Sequence, residues 1–364
     1  MKSVRKKNNL LIFALTRKGS ENAALLHSRL GGDLFLPEKF RDEFYASGAV
    51  FFSRLIAGLM EEFFLKYKKI IGFCALGAMV RLIAPHLRDK KTDPAVVALD
   101  ECAGFAVSVV SGHIGGANGL AREVAAILGA IPVITTASDV SGTLAVDLLG
   151  RDLGWHLEGW ENVARVSADV INGERVGLVQ ACGERDWLES ASLPENFFLF
   201  SSIQEAKAKK SKALLLVTDQ LVDDGILGAL AKKTVVYRPK SLVAGIGCNK
   251  GASLEELEEA IQGVLKKNGL SFYSIRNIAT IDKKSGEASF LAFSKKYNIP
   301  ISYYNASELN RVADIPNPSK AALKHLGAQG VAEPSALLGS GNDTLLQEKI
   351  KKGNYTIAIA RVKG

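Results

Sequence analysis

Paired cysteines are missing from this chain. Cys74, Cys102, Cys182 and Cys248 are scattered, with no CxxC pair and no zinc-like spacing, which argues against a disulfide framework and a structural zinc site and points to a reducing cytoplasm. Long apolar runs are missing too. The run Leu10 to Leu15 follows Lys2, Arg5, Lys6 and Lys7 but is far shorter than a membrane span. It leads into Thr16-Arg17-Lys18-Gly19 rather than a small-residue cleavage site, so it is expected as a first buried strand and not as a signal peptide. Nor does any nucleic-acid motif or basic-aromatic platform accompany the net charge of +8, whose local clusters at Lys66 to Lys69, Arg88 to Lys91 and Lys207 to Lys212 read as solvated faces. The excess of positive charge favours an anionic partner.

What is present is an ordinary globular composition, 47% hydrophobic and 23% charged, over 364 residues, more than one domain usually holds. Short apolar strands alternate with longer amphipathic segments, which predicts three α/β domains at 1–140, 141–240 and 241–364. The first is expected to be a largely parallel sheet with an inserted β-hairpin and helices on both faces. Its strands fall near Asn9 to Leu15, Asp33 to Leu36, Ile70 to Phe73, Val96 to Leu99, Phe105 to Val110 and Pro132 to Thr135. Gly48 to Lys66 has helical spacing, and Ser20 can cap the first helix. A helix around Thr143 to Leu153 and the strands Arg175 to Gln180 and Ala213 to Thr218 outline a smaller, mostly structural middle domain.

Two apolar runs between Ala95 and Val110 are joined by only Asp100-Glu101-Cys102-Ala103-Gly104, too short for a parallel crossover, so they are expected to pair as a hairpin. Ser111-Gly112-His113-Ile114-Gly115-Gly116-Ala117-Asn118 then places a histidine and a glycine-rich turn between the second strand and a helix, a common position for ligand chemistry in α/β sheets. Antiparallel pairing puts Asp100 and Glu101 roughly 20 Å from His113 and brings Lys90, Lys91, Thr92 and Asp93 towards it instead. Asp93 is therefore the expected carboxylate for orienting the imidazole, although Asp93-Pro94 also reads as a plain turn before a strand. The glycines themselves also have a bland explanation, close packing of strand and helix.

In the third domain, Leu242 to Gly251 joins a strand to a helix beginning at Ser253, with a capping box to Glu256. Its GxGxxxG pattern matches a dinucleotide fingerprint only in part, because no acidic residue ends the second strand and Asp282 lies too far on. An anion-binding turn fits better. Further strands are expected at Phe272 to Thr280, Ile301 to Tyr304 and Tyr355 to Ala360, and Gly327 to Glu333 and Gly339-Ser340-Gly341 as ligand-closing loops.

Together these stretches resemble the cobalamin-biosynthesis family CbiG. The likeness is carried by Ala75 to Pro85, Lys91 to Val97, Ser111 to Asn118 and Ile134 to Asp139. A third domain similar to CobE adds Gly245 to Cys248, Ala279 to Asp282 and Gly330 to Glu333; Asn249 and Pro334 depart from the common pattern. The resemblance implies a cytoplasmic cobalt-precorrin 5A hydrolase that opens a δ-lactone on a cobalt corrinoid and releases acetaldehyde. It implies no protein-bound cofactor or metal, since the substrate carries the cobalt, and no nucleic-acid or membrane partner, with neighbouring pathway enzymes as potential partners. His113 is expected as general base and Asp93 as its orienting acid. Gly115 and Gly116 would face an oxyanion, and Lys91 a peripheral carboxylate. Gly77, Asn118, Thr135, Thr136 and Asp139 would line the substrate crevice, with Gly245, Gly247, Cys248, Asp282 and Glu333 binding substrate in the third domain. A non-catalytic corrinoid carrier and a nucleotide-dependent oxidoreductase are the competing readings.

Overall fold

The computed structural model describes residues 9–89, 92–113, 115–136, 143–190 and 193–363, in two compact units, 1–148 and 149–364. Three sheets, mostly parallel and surrounded by helices, make up the chain.

In the first unit, β1 (Leu10–Ala14), β2 (Asp33–Pro37), β3 (Val50–Phe52), β4 (Lys69–Phe73), β5 (Ala95–Leu99), β6 (Phe105–Val110) and β7 (Ile131–Val133) lie in the order β3-β2-β1-β4-β5-β6-β7. The interior strand β1 is buried throughout because helices cover both faces, which is why it reads as a continuous apolar run. Leu10, Ile12 and Ala14 face the helices Arg17–Leu30 and Ala117–Leu128; Leu11 and Phe13 pack with Met60 and Phe63 of Ala57–Lys66 and Met79 of Leu76–Ile83. All pairs are parallel except β5 with β6, the expected hairpin.

That reversal has a topological consequence. β6 and β7 run parallel to each other but against the other five strands, so their carboxyl ends lie beside the amino ends of β4 and β5. Three local expectations change. Gly48 to Lys66 divides into β3 and a shorter helix, because Val50–Phe52 finds a parallel partner in β2. Thr16, not Ser20, caps the first helix: its hydroxyl accepts from Gly19 N at 3.1 Å, while buried Ser20 donates back to Thr16 O at 2.8 Å. Residues 146–154 form successive turns where a helix over Thr143 to Leu153 was expected.

The second unit holds two five-stranded sheets. β8 (His156–Glu158), β9 (Val176–Gln180), β10 (Phe197–Phe200), β11 (Ala213–Val217) and β12 (Thr234–Arg238) form one in the order β10-β9-β11-β12-β8, with β8 antiparallel. β13 (Leu242–Cys248), β14 (Ile275–Ile281), β15 (Ile301–Tyr304), β16 (Leu345–Lys352) and β17 (Tyr355–Arg361) form the other in the order β15-β14-β13-β17-β16. β16 and β17 make an antiparallel hairpin on a parallel core. A buried polar junction joins the two sheets: the Asp219 carboxylate, 1% exposed, accepts from Arg361 Nε at 2.7 Å, Arg361 Nη2 at 2.9 Å and Ser241 Oγ at 2.9 Å. Its carbonyl accepts from Ser271 N at 2.7 Å, so one residue holds both sheets.

Ser253 caps the helix Leu254–Lys267 through Glu256 N, but the Glu256 carboxylate accepts from Asn354 instead, so only half of the expected capping box forms. Gly339 and Ser340 end the helix Ala332–Ser340 and Gly341 caps it with φ +62°, so this stretch is not a closing loop.

Candidate functional site

The turn after β6 is built mainly from its own backbone. Gly116 N donates to His113 O at 3.0 Å, Ala117 N to Ser111 O at 3.1 Å and Asn118 N to Gly112 O at 3.0 Å, so these amides at the start of the helix Ala117–Leu128 are used internally. Gly116 has φ +85°, a conformation that suits glycine, and a β-carbon at Gly115 would collide with Ser111. The expected oxyanion role of Gly116 is thereby corrected: its N–H is committed to the turn, and its residue type is set by backbone shape. Ser111, itself at φ +57°, donates from Oγ to Asp93 O at 3.0 Å, pinning the turn to the start of β5.

His113 sits in this turn with its side chain 16% exposed, and the carboxylate beside it belongs to Asp147, whose side chain is 12% exposed: Nδ1 and Oδ1 are 3.3 Å apart. Asp93, the expected orienting acid, uses its carboxylate to accept from Arg88 N at 3.0 and 3.2 Å. The turn before the strand therefore claims Asp93, as the plainer reading of Asp93-Pro94 required. Asp147 lies in the segment read as a helix from sequence, where an acidic residue passes for a solvated face. Its neighbour Val146, 1% exposed, anchors the return of the chain.

Asn118, 4% exposed, ties the carboxyl ends of β6 and β7 together: Oδ1 accepts from Ser108 Oγ at 2.7 Å and Nδ2 donates to Thr136 Oγ1 at 3.0 Å. Thr135 is exposed at the same end of β7. Lys91 and Asp139 lie outside the described residues. Gly77 follows β4, whose carboxyl end is at the opposite edge of the sheet, where its carbonyl accepts from Arg81 Nη1 at 3.3 Å. It does not join the His113 turn.

In the second unit a cleft of about 760 Å³ opens where β13 and β14 end. Of the expected residues, Gly247, Cys248 and Glu333 line it, while Gly245 and Asp282 do not. A β-carbon at Gly245 would overlap Ala332 O and stand 2.6 Å from Ala336 N, so this glycine lets the helix Ala332–Ser340 lie against β13. Asp282 accepts from Lys283 N at 2.7 Å, outside the cleft. Glu333, 1% exposed, accepts from Asn317 N at 3.0 Å, Asn317 Nδ2 at 2.8 Å and Lys349 N at 3.0 Å. A buried carboxylate with three donors organises the wall.

The cleft's cations are those that sequence reasoning missed. Lys250, Lys284, Lys349 and Lys351, with His325 beside them, border a floor that includes Ile281, Leu326 and Val331. Lys349 and Lys351 come from β16, an edge strand too polar to read as one. Burial pushes the Cys248 thiol up to about 11, with Lys284 pulling it back only in part, so it is protonated at neutral pH. Among the described residues, no group of three or more histidine, cysteine, aspartate and glutamate side chains is placed to hold a metal ion, and no helix is long and apolar enough to cross a membrane.

Fold and site together define an α/β protein with a histidine on a strand-to-helix turn beside a carboxylate from a later run of turns, and a second-unit cleft rimmed by cations. Three family models match it in order: Cobalamin synthesis G N-terminal over residues 58–139, Cobalamin biosynthesis central region over 144–239 and Cobalamin synthesis G C-terminus over 242–360. The chain belongs to the cobalamin synthesis G family. A cobalt-precorrin-5A hydrolase of Priestia megaterium is 41% identical over 362 residues, 99% of this chain and 96% of its own. A protein of the same name from Salmonella typhimurium is 30% identical over 356 residues, 97% of this chain and 98% of its own. Protein CobE of a Sinorhizobium species is 31% identical over 121 residues, 33% of this chain and 79% of its own.

Proposed function

We propose that this chain is a cobalt-precorrin-5A hydrolase of cobalamin biosynthesis, and that it opens the δ-lactone of its substrate and releases acetaldehyde. The observation that carries the assignment is the 41% identity, over 99% of the chain, to a hydrolase of that name. His113 is the general base. Water adds to the lactone carbonyl as His113 takes its proton, and the ring opens to a carboxylate and a hydroxyl. Loss of that hydroxyl's proton then turns its carbon into the aldehyde as the carbon–carbon bond breaks, and the electron pair enters the substrate's conjugated ring. The balance is one water consumed, one acetaldehyde formed and two protons passed through His113 to solvent. Cobalt belongs to the substrate.

The cations of the second-unit cleft suit a carboxylate-bearing ligand, and its apolar floor suits a ring system. Thr135 is exposed at the same end of the sheet to meet substrate, while buried Asn118 braces the turn through Ser108 and Thr136. The test is incubation of the purified protein with cobalt-precorrin 5A and assay of acetaldehyde. Stoichiometric aldehyde is expected; a shifted corrinoid spectrum without aldehyde would make the chain a carrier and overturn the reading.

A further inference from the structure

We propose that Asp147 is the positioning residue of the reaction, fixing His113 as the Nδ1–H tautomer so that the lone pair resides on Nε2. The proposal rests on the hydrolase reading for its reaction and on geometry for its residue.

Three observations support it. The ring nitrogen 3.3 Å from Asp147 Oδ1 is Nδ1, and a carboxylate at that distance favours a hydrogen on the facing nitrogen, which in a neutral imidazole is the Nδ1–H tautomer. Both side chains are largely withdrawn from solvent, at 16% and 12% exposure, where a carboxylate–imidazole contact is screened far less than at the surface. The two partners also sit on held backbone. His113 O accepts from Gly116 N, Ser111 is tied to Asp93, and Val146 is buried beside Asp147. Asp93, the acid expected for this turn, accepts from Arg88 N. In an imidazole base held this way the acid acts through the histidine, by orientation and by stabilising the imidazolium that forms, without itself taking the proton.

The deciding experiment uses the full-length protein labelled with ¹⁵N in histidine, with the His113 signals assigned by comparison with His113→Gln. Wild type is expected to show a protonated Nδ1 in the neutral ring, and Asp147→Asn to move the population towards the Nε2–H form. In acetaldehyde assays Asp147→Asn is expected to lower kcat by about 100-fold, the scale of a general base, with KM within about twofold. Asp147→Glu, which keeps a carboxylate, should recover about tenfold of that loss. Adding Asp147→Asn to His113→Ala should cost no more than about twofold further, because residues acting as a unit are not additive.

An Asp147→Asn enzyme with unchanged kcat, or one whose loss multiplies that of His113→Ala, would overturn the proposal. Should wild type release no acetaldehyde, the hydrolase reading fails, and the ¹⁵N spectrum still decides the pairing: an Nε2–H tautomer in wild type refutes it.

Discussion

Two glycine-rich stretches of this chain, Ser111 to Asn118 and Gly245 to Gly251, share a composition and do different physical work. In the first, the turn folds its carbonyls onto the amides at residues 116–118 and holds up a histidine beside a carboxylate. In the second, Gly245 removes a β-carbon that would strike the helix Ala332–Ser340, and the cations arrive from β16 and from the loops around the cleft. Glycine spacing between a strand and a helix thus does not by itself mark an anion cradle. What separates the two is which side chains the turn presents once its backbone is satisfied.

The difference can be broken at either stretch. The largest effect is expected at the first: His113→Ala should reduce acetaldehyde formation by at least about 100-fold while leaving corrinoid binding intact, read as single-turnover aldehyde yield beside a spectral titration. At the second stretch the loss should be of stability rather than chemistry. Gly245→Ala places a methyl group against the backbone of residues 332 and 336 and should cost about 3 kcal/mol, lowering the melting temperature by about 6–12 °C. Unchanged melting would mean that the helix yields freely.

A comparable loss of stability is expected from Asp219→Ala, which leaves Arg361 and Ser241 without their shared buried acceptor; about 3 kcal/mol is the scale for breaking such a pair. Denaturant unfolding would measure it, and a change below about 0.5 kcal/mol would show that the junction does not hold the two sheets.

Smaller again is Lys351→Ala in the cleft, expected to weaken corrinoid binding in a spectral titration about threefold, an effect that should shrink with added salt. The smallest is a pH effect on thiols. Burial raises Cys182 to about 12 and Cys248 to about 11, so both resist alkylation at pH 8, while exposed Cys102 reacts first. Because these folded thiols ionise later than unfolded ones, their contribution to stability is intact below about pH 8.5 and is lost as pH rises towards their folded values. A melting curve that stays level from pH 8.5 to 11 would contradict the shifts.

Much of the first unit was legible because its physics is local. The continuous apolar runs gave the buried strands, and a five-residue link left the strands on either side no option but a hairpin. From that hairpin followed the approach of Asp93 to the His113 turn, which the bond from Ser111 Oγ to Asp93 O displays. The role given to Asp93 failed because a carboxylate two residues before a strand is taken up by a local backbone donor, Arg88 N. Asp147 was illegible for the opposite reason: 34 residues separate it from His113 in sequence, and no periodicity announces a pair made by tertiary return of the chain. Gly77 was misplaced because its motif said nothing of strand direction, and the reversal at β6 puts its loop at the other edge of the sheet. Lys349 and Lys351 escaped because edge strands carry polar residues that hide them.

The most direct test of the central claim, that His113 held by Asp147 is the base of this hydrolase, is the acetaldehyde yield of a single turnover with cobalt-precorrin 5A by wild type, His113→Ala, Asp147→Asn and the double variant. One equivalent from wild type, a loss of at least about 100-fold in rate for His113→Ala, and a double variant no slower than His113→Ala within about twofold are expected. Near-normal turnover by His113→Ala would contradict the account.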